Sequence, residues 1–345
     1  MNIQRLKLLK NMIDMEAVRS KKSKFFLWKD YLNLRIKRGL GLEEYYACGY
    51  AYLNEKEREN YLSIRELVKV CEQVNVDGSD EKWRIYNKLK PYFKRECVHM
   101  TFSTPEEIEA FVRNNETFFA KDTRSFGGKG VKFVDGETFE IRMEKVEQLK
   151  KENITMLEGT LIPNKELGKI NPYAVNALRF LTVYSKEKGI HFFPSVIRFG
   201  SNKSRVDNVS SGGFFTMLDE NGVIALDGFF NSFENCQKGQ SDIIKIHPLT
   251  GISPYGFQIP LFEEAKAMVK EMAEQTPELA IAAWDMAITD DSPALIEVNN
   301  YPGADLNCNY YFTDIYHTNE VGQKAKIEEY LNIKIDKNMN VTKNA

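Results

Sequence analysis

A predicted β-hairpin near the carboxyl end constrains the fold more than any other stretch of this sequence. Two apolar runs flank the polar segment 289–293, which contains the Asp, Ser and Pro residues that are typical of turns. If the chain turns at Asp291, Asp285 falls opposite Glu297, and Asn299 shares a strand face with Glu297 because side chains alternate along a strand. Two carboxylates and an amide oxygen are suitable ligands for Mg²⁺. A polar surface hairpin would contain the same residue types, so the spacing leaves both interpretations open.

The 345-residue chain has the composition of an ordinary globular protein, with 43% hydrophobic and 28% charged residues. Its length predicts two or three domains. The net charge of -2 gives no general reason to expect a nucleic-acid partner, and no apolar run approaches the ~20 residues that cross a bilayer. Residues 1–10 lack the apolar core of a signal peptide. Five scattered cysteines without a CxxC pair favour reduced thiols, so we expect a cytoplasmic protein.

Residues 1–95 have the pattern of a helical region, because apolar residues recur at helical intervals among long Lys, Glu, Arg and Leu side chains. The first forty residues contain eleven Lys and Arg residues but only three acids. This excess could bring the region to an anionic membrane surface or a polyanionic substrate. An ordinary solvated helix face is the alternative.

From about residue 96 the pattern changes to alternating strands and helices with frequent glycines. A short strand ending at Lys121 precedes a polar loop and a second strand. The loop contains one serine and three glycines of interest: Ser125, Gly127, Gly128 and Gly130. Such a loop lets backbone N–H groups approach phosphate oxygens closely. It is not a Walker A loop, because Lys129 is followed by glycine rather than Ser or Thr. A plain tight hairpin explains the glycines equally well.

A charged residue and a polar insertion also stand out in the second half of the chain. Arg179 lies in a predicted strand and shares a face with Leu181 and Val183. An inward-facing arginine needs an anion, which could be a carboxylate partner or a phosphate. The glycine-rich segment 207–213 directly precedes another strand. Ordering such a loop is costly in entropy unless it lines a site.

Taken together, these blocks resemble the ATP-grasp superfamily: the Lys121 strand with its glycine loop, the strand through Glu158, and the Asp285 hairpin. Four further motifs resemble more narrowly the sugar-transfer-associated ATP-grasp proteins, which are typically encoded among bacterial surface-polysaccharide genes. They are Asn176-x-x-Arg179, Asp207-Asn208-x-Ser210-Ser211-Gly212-Gly213, His247-Pro248-x-Thr250-Gly251 and Gly256-x-x-Ile259-Pro260. The likeness covers roughly residues 60–305, with the blocks in the same order.

The resemblance implies an α+β fold of the ATP-grasp type, in which two α+β lobes enclose a nucleotide after a helical N-terminal region. We expect the helical region, with substrate or partner contacts, over residues 1–95. The small lobe with its glycine-rich flap would follow over 96–160, and the large lobe with the metal-binding hairpin over 161–335. Residues 336–345 are expected to form a flexible tail.

The resemblance also assigns roles in binding ATP. Lys121 would contact the α- and β-phosphates, and Lys88 is similar to an earlier phosphate-binding lysine of the family. The glycine loop would close over the β- and γ-phosphates. The hinge between the lobes would offer backbone groups to adenine, and it consists of Glu158, Gly159, Thr160 and Leu161. The family commonly has a second acid after the first in this hinge, and this chain lacks it, which leaves the ribose contact unassigned.

For the reacting end of the nucleotide, the resemblance implies that Asp285, Glu297 and Asn299 hold one or two Mg²⁺ ions. Arg179 and Asn208 would face the transferring phosphoryl group. We expect Asp285→Asn and Glu297→Gln to abolish ADP formation and to leave the melting temperature nearly unchanged.

The function that follows is an ATP- and Mg²⁺-dependent carboxylate–amine ligase that forms ADP through an acyl phosphate. Its small-molecule acid and amine would be sugar-linked or belong to cell-surface polysaccharide or sugar-conjugate biosynthesis. One alternative is a phosphotransferase acting on a sugar or amino acid with the same fold. Another is a non-catalytic, ATP-gated binding protein, which the intact set of metal-ligand positions disfavours.

Overall fold

Helices form most of the first hundred residues and cover the sheets that follow. The computed structural model describes residues 3–76, 82–122, 130–230, 243–302 and 322–344. Within these ranges no helix is both long enough and apolar enough to cross a bilayer. The helices are α1 (Ile3–Ser20), α2 (Lys24–Arg38), α3 (Leu42–Ala47), α4 (Glu55–Asn60), α5 (Ile64–Val74), α6 (Lys82–Phe93), α7 (Pro105–Asn114), α8 (Phe139–Lys151), α9 (Lys165–Ile170), α10 (Phe262–Gln275) and α11 (Lys324–Leu331).

The strands begin after α6, where the sequence predicts the change from helices to alternating elements. They are β1 (Cys97–His99), β2 (Phe118–Lys121), β3 (Val131–Val134), β4 (Met156–Gly159), β5 (Leu178–Ser185), β6 (Gly189–Phe192), β7 (Val196–Phe199), β8 (Phe214–Met217), β9 (Gly228–Phe229), β10 (Ile243–Ile244), β11 (Ile281–Ile288), β12 (Pro293–Asn299), β13 (Ile333–Ile335) and β14 (Val341–Lys343). The mixed α+β composition and the helical N-terminal region expected from the sequence are both confirmed.

Two antiparallel sheets make up the two lobes. The smaller sheet has the strand order β1-β4-β2-β3, and the larger has the order β10-β9-β8-β7-β5-β11-β12, with β6 paired to β5. The predicted hairpin is β11 and β12, and Asp285 pairs with Glu297 in its register. This register is the one predicted from the sequence. It follows from the position of the turn between the two strands, because the turn of a hairpin fixes which residues face each other.

Helix starts follow the local sequence signals. Thr104 caps α7 and accepts a hydrogen bond from the Glu107 amide at 3.2 Å, while the Glu107 carboxylate accepts one from the Thr104 amide at 2.8 Å. Pro105 occupies the first turn, where its missing N–H costs nothing. This reciprocal capping fixes the entry into the small lobe.

The large sheet is buried on both faces. Leu181 and Val183 of β5 pack into a core shared with helices α1, α2 and α5, whereas Phe180 and Trp284 pack on the opposite face against α10. Alternate residues of one strand therefore serve two different helical layers. The N-terminal helices share a continuous hydrophobic core with the large lobe.

The flexible tail predicted for residues 336–345 is instead ordered through residue 344. Residues after α11 form the β13–β14 hairpin, and Met339 at its turn is 8% exposed. Gln73 of α5 holds the hairpin, because its amide donates to the Met339 carbonyl at 2.7 Å and accepts from the Val341 amide at 2.9 Å. The prediction was wrong because this contact joins residues that lie 266 positions apart in the sequence, which local signals do not show.

Candidate functional site

A cleft lies between the two sheets. The small lobe contributes Lys121 of β2 and Glu158 of β4 to its wall, and the large lobe contributes Arg198 of β7 and Glu297 of β12. The polar side chains of the cleft thus come from two separate sheets that face each other.

Cations outnumber acids among the described residues that line this cleft. The cations are Lys82, Arg95, Lys121, Arg198 and Arg205, and the acids are Glu158, Asp207 and Glu297. A concave site with an excess of positive charge attracts anions, because its low-dielectric walls concentrate the electrostatic field. The cleft therefore suits a ligand that carries several negative charges, such as a polyphosphate.

A buried ion cluster connects the small lobe to the large one. The Glu158 carboxylate lies 2.5 Å from Arg95 Nη2 and 2.8 Å from Lys121 Nζ. Burial opposes ionisation of Glu158, but the charges of Lys121 and Arg95 lower its pKa to about 2. Arg95 also donates to the Leu295 carbonyl of β12 at 2.6 Å. The cluster thus holds Lys121 in the cleft wall and ties β4 to β12.

Glu158→Gln is expected to lower the free energy of unfolding, and the loss should be largest at neutral pH. The pKa of Glu158 falls from an ordinary 4.5 to about 2 in the folded state. The contribution of its charge to the free energy of unfolding is therefore fully present above pH 4.5 and is lost as the pH drops towards 2. That contribution is about 3 kcal/mol. Urea unfolding of both proteins between pH 7 and 2 should show a gap in unfolding free energy that closes on acidification.

Glu152→Gln is the matched control for this measurement, since its carboxylate is 51% exposed and pairs at the surface with Lys132. Its unfolding free energy should follow that of the unmutated protein at every pH. A gap for Glu158→Gln that stays constant down to pH 2 would contradict the assignment of the shift.

The predicted hinge residues do not all face the cleft. Gly159 and Leu161 line it. Thr160 instead donates its hydroxyl to the Thr117 carbonyl at 3.0 Å. The Glu158 side chain is occupied by its two cations. The predicted hinge therefore meets the cleft mainly through Gly159 and Leu161.

A second buried ion cluster lies on the large sheet. Asp285 accepts from Arg179 Nε at 2.7 Å and from Arg179 Nη2 at 2.9 Å, and it lies 3.1 Å from Arg198 Nη2. Asp285 is fully buried. Burial opposes its ionisation, but Arg179 and Arg198 lower its pKa to about 2. The anion that Arg179 requires is therefore a carboxylate of the same sheet.

Arg198 extends this cluster to the cleft surface. Its Nε lies 3.3 Å from Asp207 Oδ1, and Asp207 Oδ2 accepts from the Ala177 amide at 2.7 Å. Burial raises the pKa of Asp207, although Arg198 partly offsets the effect. Arg198 lines the cleft, whereas Arg179 is not among the residues that line it. Of these two arginines, the structure places Arg198 in the cleft wall and Arg179 behind it in the sheet.

Asn208 lies at the cleft, on a loop that glycine makes possible. Its carbonyl accepts from the amides of Ser211 at 2.9 Å and Gly213 at 3.1 Å. A Cβ atom on Gly213 would lie 2.4 Å from the Asp207 carbonyl oxygen, so only glycine fits there. His247 supports the same loop, since its Nε2 lies 2.7 Å from the Gly200 carbonyl oxygen.

The predicted metal ligands lie on one sheet face but in different environments. Glu297 lines the cleft with its side chain 30% exposed, and its nearest described cation is Lys82 at 3.7 Å. Asn299 is partly buried, and among the described residues its Nδ2 atom has no hydrogen-bond partner. No described contact therefore fixes the orientation of this amide.

The donor chemistry fits Mg²⁺. A carboxylate offers about four lone pairs, and the two arginines occupy three of those on Asp285. Its Oδ1 keeps one acceptor position, on the sheet face that also carries Glu297 and Asn299. Within the described ranges no three His, Cys, Asp or Glu residues form a metal cluster, so the fit depends on the amide as a third oxygen donor.

Lys88 does not reach the cleft. Its Nζ pairs with Glu278 at 2.5 Å on the surface, and Lys82 of the same helix lines the cleft instead. The two lysines are six residues apart, about 240° around the helix axis, so they point in different directions. Of the predicted phosphate-binding loop, Ser125, Gly127 and Gly128 lie outside the described residues. Gly130 precedes β3 with a φ of +85°, which favours glycine.

Lys82, Arg95, Arg198 and Arg205 were missed by sequence reasoning. Arg198 has the same signal as Arg179, since it is an isolated arginine in an apolar strand whose four residues are all buried. Arg205 has no such signal. Its guanidinium lies 4.4 Å from the centre of the Phe133 ring, which brings a loop of the large lobe to β3 of the small lobe.

Comparisons with solved structures give remote matches. An N5-carboxyaminoimidazole ribonucleotide synthetase in an ADP complex is 12% identical with a TM-score of 0.43, covering 74% of this chain and 52% of that chain. An N5-carboxyaminoimidazole synthetase from Staphylococcus aureus with ADP is 12% identical with a TM-score of 0.42, covering 73% of this chain and 54% of that chain. D-alanyl-alanine synthetase A from Vibrio cholerae is 15% identical with a TM-score of 0.37, covering 67% of this chain and 56% of that chain. The chain thus spans about half the length of these structures.

A comparison with curated proteins finds no match. The family model described as "Sugar-transfer associated ATP-grasp" matches residues 91–310, well over half of the chain. This range contains β1 to β12, the cleft between the sheets and both buried ion clusters, apart from the cleft residue Lys82. The chain therefore belongs to the sugar-transfer associated ATP-grasp family.

Proposed function

We propose that this protein is an ATP- and Mg²⁺-dependent carboxylate–amine ligase that forms ADP and phosphate through an acyl phosphate. The observation that carries the proposal is the cleft between the lobes, where five cationic side chains meet the Glu297 edge of the large sheet. Membership of an ATP-grasp family supports ATP as the ligand. The family description supports a sugar-linked acid or amine, within cell-surface polysaccharide or sugar-conjugate biosynthesis.

Activation of the carboxylate is the chemical problem that such a site would solve. A carboxylate is a poor electrophile, and an amine does not displace its oxygen at neutral pH. Phosphorylation by ATP turns that oxygen into a good leaving group, which departs as phosphate when the amine attacks. Transfer of the phosphoryl group needs positioning and neutralisation of charge more than it needs a protein nucleophile.

The cations of the cleft would meet these needs. Lys121 and Lys82 approach from β2 and from α6, and both would bind phosphate oxygens. Arg198 is held by Asp285 and Asp207 before any ligand arrives, so it would lose little conformational entropy on binding. Asn208 would donate its side-chain amide to the transferring group from the adjacent loop.

Magnesium would be held by Glu297, Asn299 and the remaining acceptor position of Asp285 Oδ1, and it would neutralise phosphate charge there. The reaction would take place in the cytoplasm, where ATP is available.

A substrate screen with two readouts tests this proposal. Uronic acids, sugar nucleotides and amino acids are offered singly and in pairs, and both ADP and free phosphate are measured. We expect phosphate release only when an acid and an amine are present together. Glu297→Gln is the control, and it should remain folded and release neither product. A stable phosphorylated product without free phosphate would replace the ligase with a phosphotransferase, and nucleotide binding without any product would indicate a binding protein.

A further inference from the structure

The outward face of α2 carries apolar side chains where a solvated helix should be polar. Leu27, Tyr31 and Leu34 are buried on its inner face. On the opposite face, Phe25 is 80% exposed, Leu32 is 44% exposed and Ile36 is 82% exposed. Their spacing of seven and four residues aligns them along one side of the helix. We call these three residues the apolar stripe.

The apolar stripe differs from the single, scattered apolar residues found on most protein surfaces, because its members are aligned and have apolar neighbours. Phe26 on the same helix is 43% exposed, and Val18 near the end of α1 is 82% exposed. Single exposed apolar side chains need no explanation, but an aligned set marks a surface that contacts something apolar. The inner face of α2 already supplies its packing, so the stripe is not needed for the folded core.

Positive charge surrounds the stripe. Residues 1–40 contain eleven Lys and Arg residues and three acids, in a chain whose net charge is -2. The acids are all paired: Asp14 with Lys24 at 2.7 Å, Glu16 with Arg19 at 2.5 Å, and Asp30 with Arg58 at 2.8 Å. The region therefore keeps a strong positive charge, because among its described cations only Arg19, Lys24 and Arg38 form ion pairs.

Three exposed lysines lie close to the stripe in sequence. Lys29 falls between Phe25 and Leu32 on the outward face, Lys37 follows Ile36, and Lys21 precedes the helix. Within the described residues no ion pair forms at any of the three. They are positioned to meet an anionic surface at the same time as the stripe meets an apolar layer.

We propose that α2 docks on an anionic lipid bilayer, with the apolar stripe inserted at the boundary between headgroups and acyl chains. Amphipathic helices bind membranes in this way, with the apolar face buried and lysines among the anionic headgroups. A second copy of this chain fits less well, because two surfaces with the same positive charge would repel each other. The proposal does not depend on the activity of the cleft.

Vesicle co-sedimentation of the full-length protein tests the proposal. Vesicles of 30% phosphatidylglycerol and 70% phosphatidylcholine are compared with phosphatidylcholine alone. We expect binding to the anionic vesicles only, and a loss of binding at high salt because salt screens the attraction. Lys29→Glu/Lys37→Glu should weaken binding at least roughly 25-fold, since each lysine near the surface contributes about fivefold. Phe25→Ser/Ile36→Ser should weaken it by at least about tenfold.

Matched controls use exposed residues elsewhere in the chain. Lys151→Glu/Lys186→Glu reverses two exposed charges, and Ile246→Ser removes an apolar side chain that is 57% exposed. Both should bind as the unmutated protein does. Absence of binding by the unmutated protein overturns the proposal, and so does equal loss in the controls. Self-association that the stripe substitutions abolish, without vesicle binding, would assign this surface to a second copy.

Discussion

Asp285→Asn is expected to abolish ADP formation and to destabilise the folded protein by about 3 kcal/mol. Asp285 is fully buried and is the shared anion of Arg179 and Arg198. Without its charge, two arginines remain in the sheet with a neutral amide between them. Breaking a buried ion pair from one side is costly because the remaining charges keep their desolvation penalty. Urea unfolding and an ADP assay measure the two effects.

Glu297→Gln separates the chemistry from the fold. Its carboxylate is 30% exposed and lies 3.7 Å from Lys82, so it contributes little to stability. We expect ADP formation to be lost while the unfolding free energy changes by less than about 1 kcal/mol. The sequence predicts an unchanged melting temperature for both substitutions, and the buried pairing of Asp285 revises that prediction for one of them.

Two outcomes would contradict this account. Full activity in Glu297→Gln would remove it from the proposed metal ligands. A stability of Asp285→Asn equal to that of the unmutated protein would show that the two arginines find other anions. In that case Asp285 would not be the residue that holds Arg198 at the cleft.

Lys121→Met is expected to lower kcat/KM for ATP by about 100-fold or more, the usual effect of removing a preorganised charged donor from an active site. Lys121 is the lysine that β2 brings to the cleft, and Glu158 holds it there at 2.8 Å. Glu158 keeps Arg95 as a partner after the change, so the fold should survive. Nucleotide binding by calorimetry and ADP formation both check this expectation.

Lys88→Met is the matched control, because it removes the same charge from a surface pair with Glu278. Its kcat/KM should stay within about twofold of the unmutated value. Lys82→Met should resemble Lys121→Met, since Lys82 takes the place in the cleft that the sequence gives to Lys88. Comparable damage from Lys88→Met would show that the lobes rearrange to bring that lysine to the ligand.

The sequence alone determined the change from helices to alternating elements near residue 96 and the local pairing of the β11–β12 hairpin. The β11–β12 register, with Asp285 opposite Glu297, follows from the position of the turn between the strands. Turn residues and strand patterns act over a few residues, so they can be read from each stretch of sequence separately. The family resemblance added the fold and the order of the blocks, because motifs separated along the chain retain their order even where single motifs are ambiguous.

Only the tertiary structure decided which side chains meet. Arg179 and Asp285 are 106 residues apart in sequence, and nothing local shows that they neutralise each other or that Arg198 reaches the cleft in their place. The same holds for Lys82 and for the contact of Arg205 with Phe133 across the lobes. The alternation along a strand predicts the face on which a charge lies. Its partner depends on how two sheets and a helical layer pack, because ion pairing requires atoms within about 4 Å, whatever their separation in sequence.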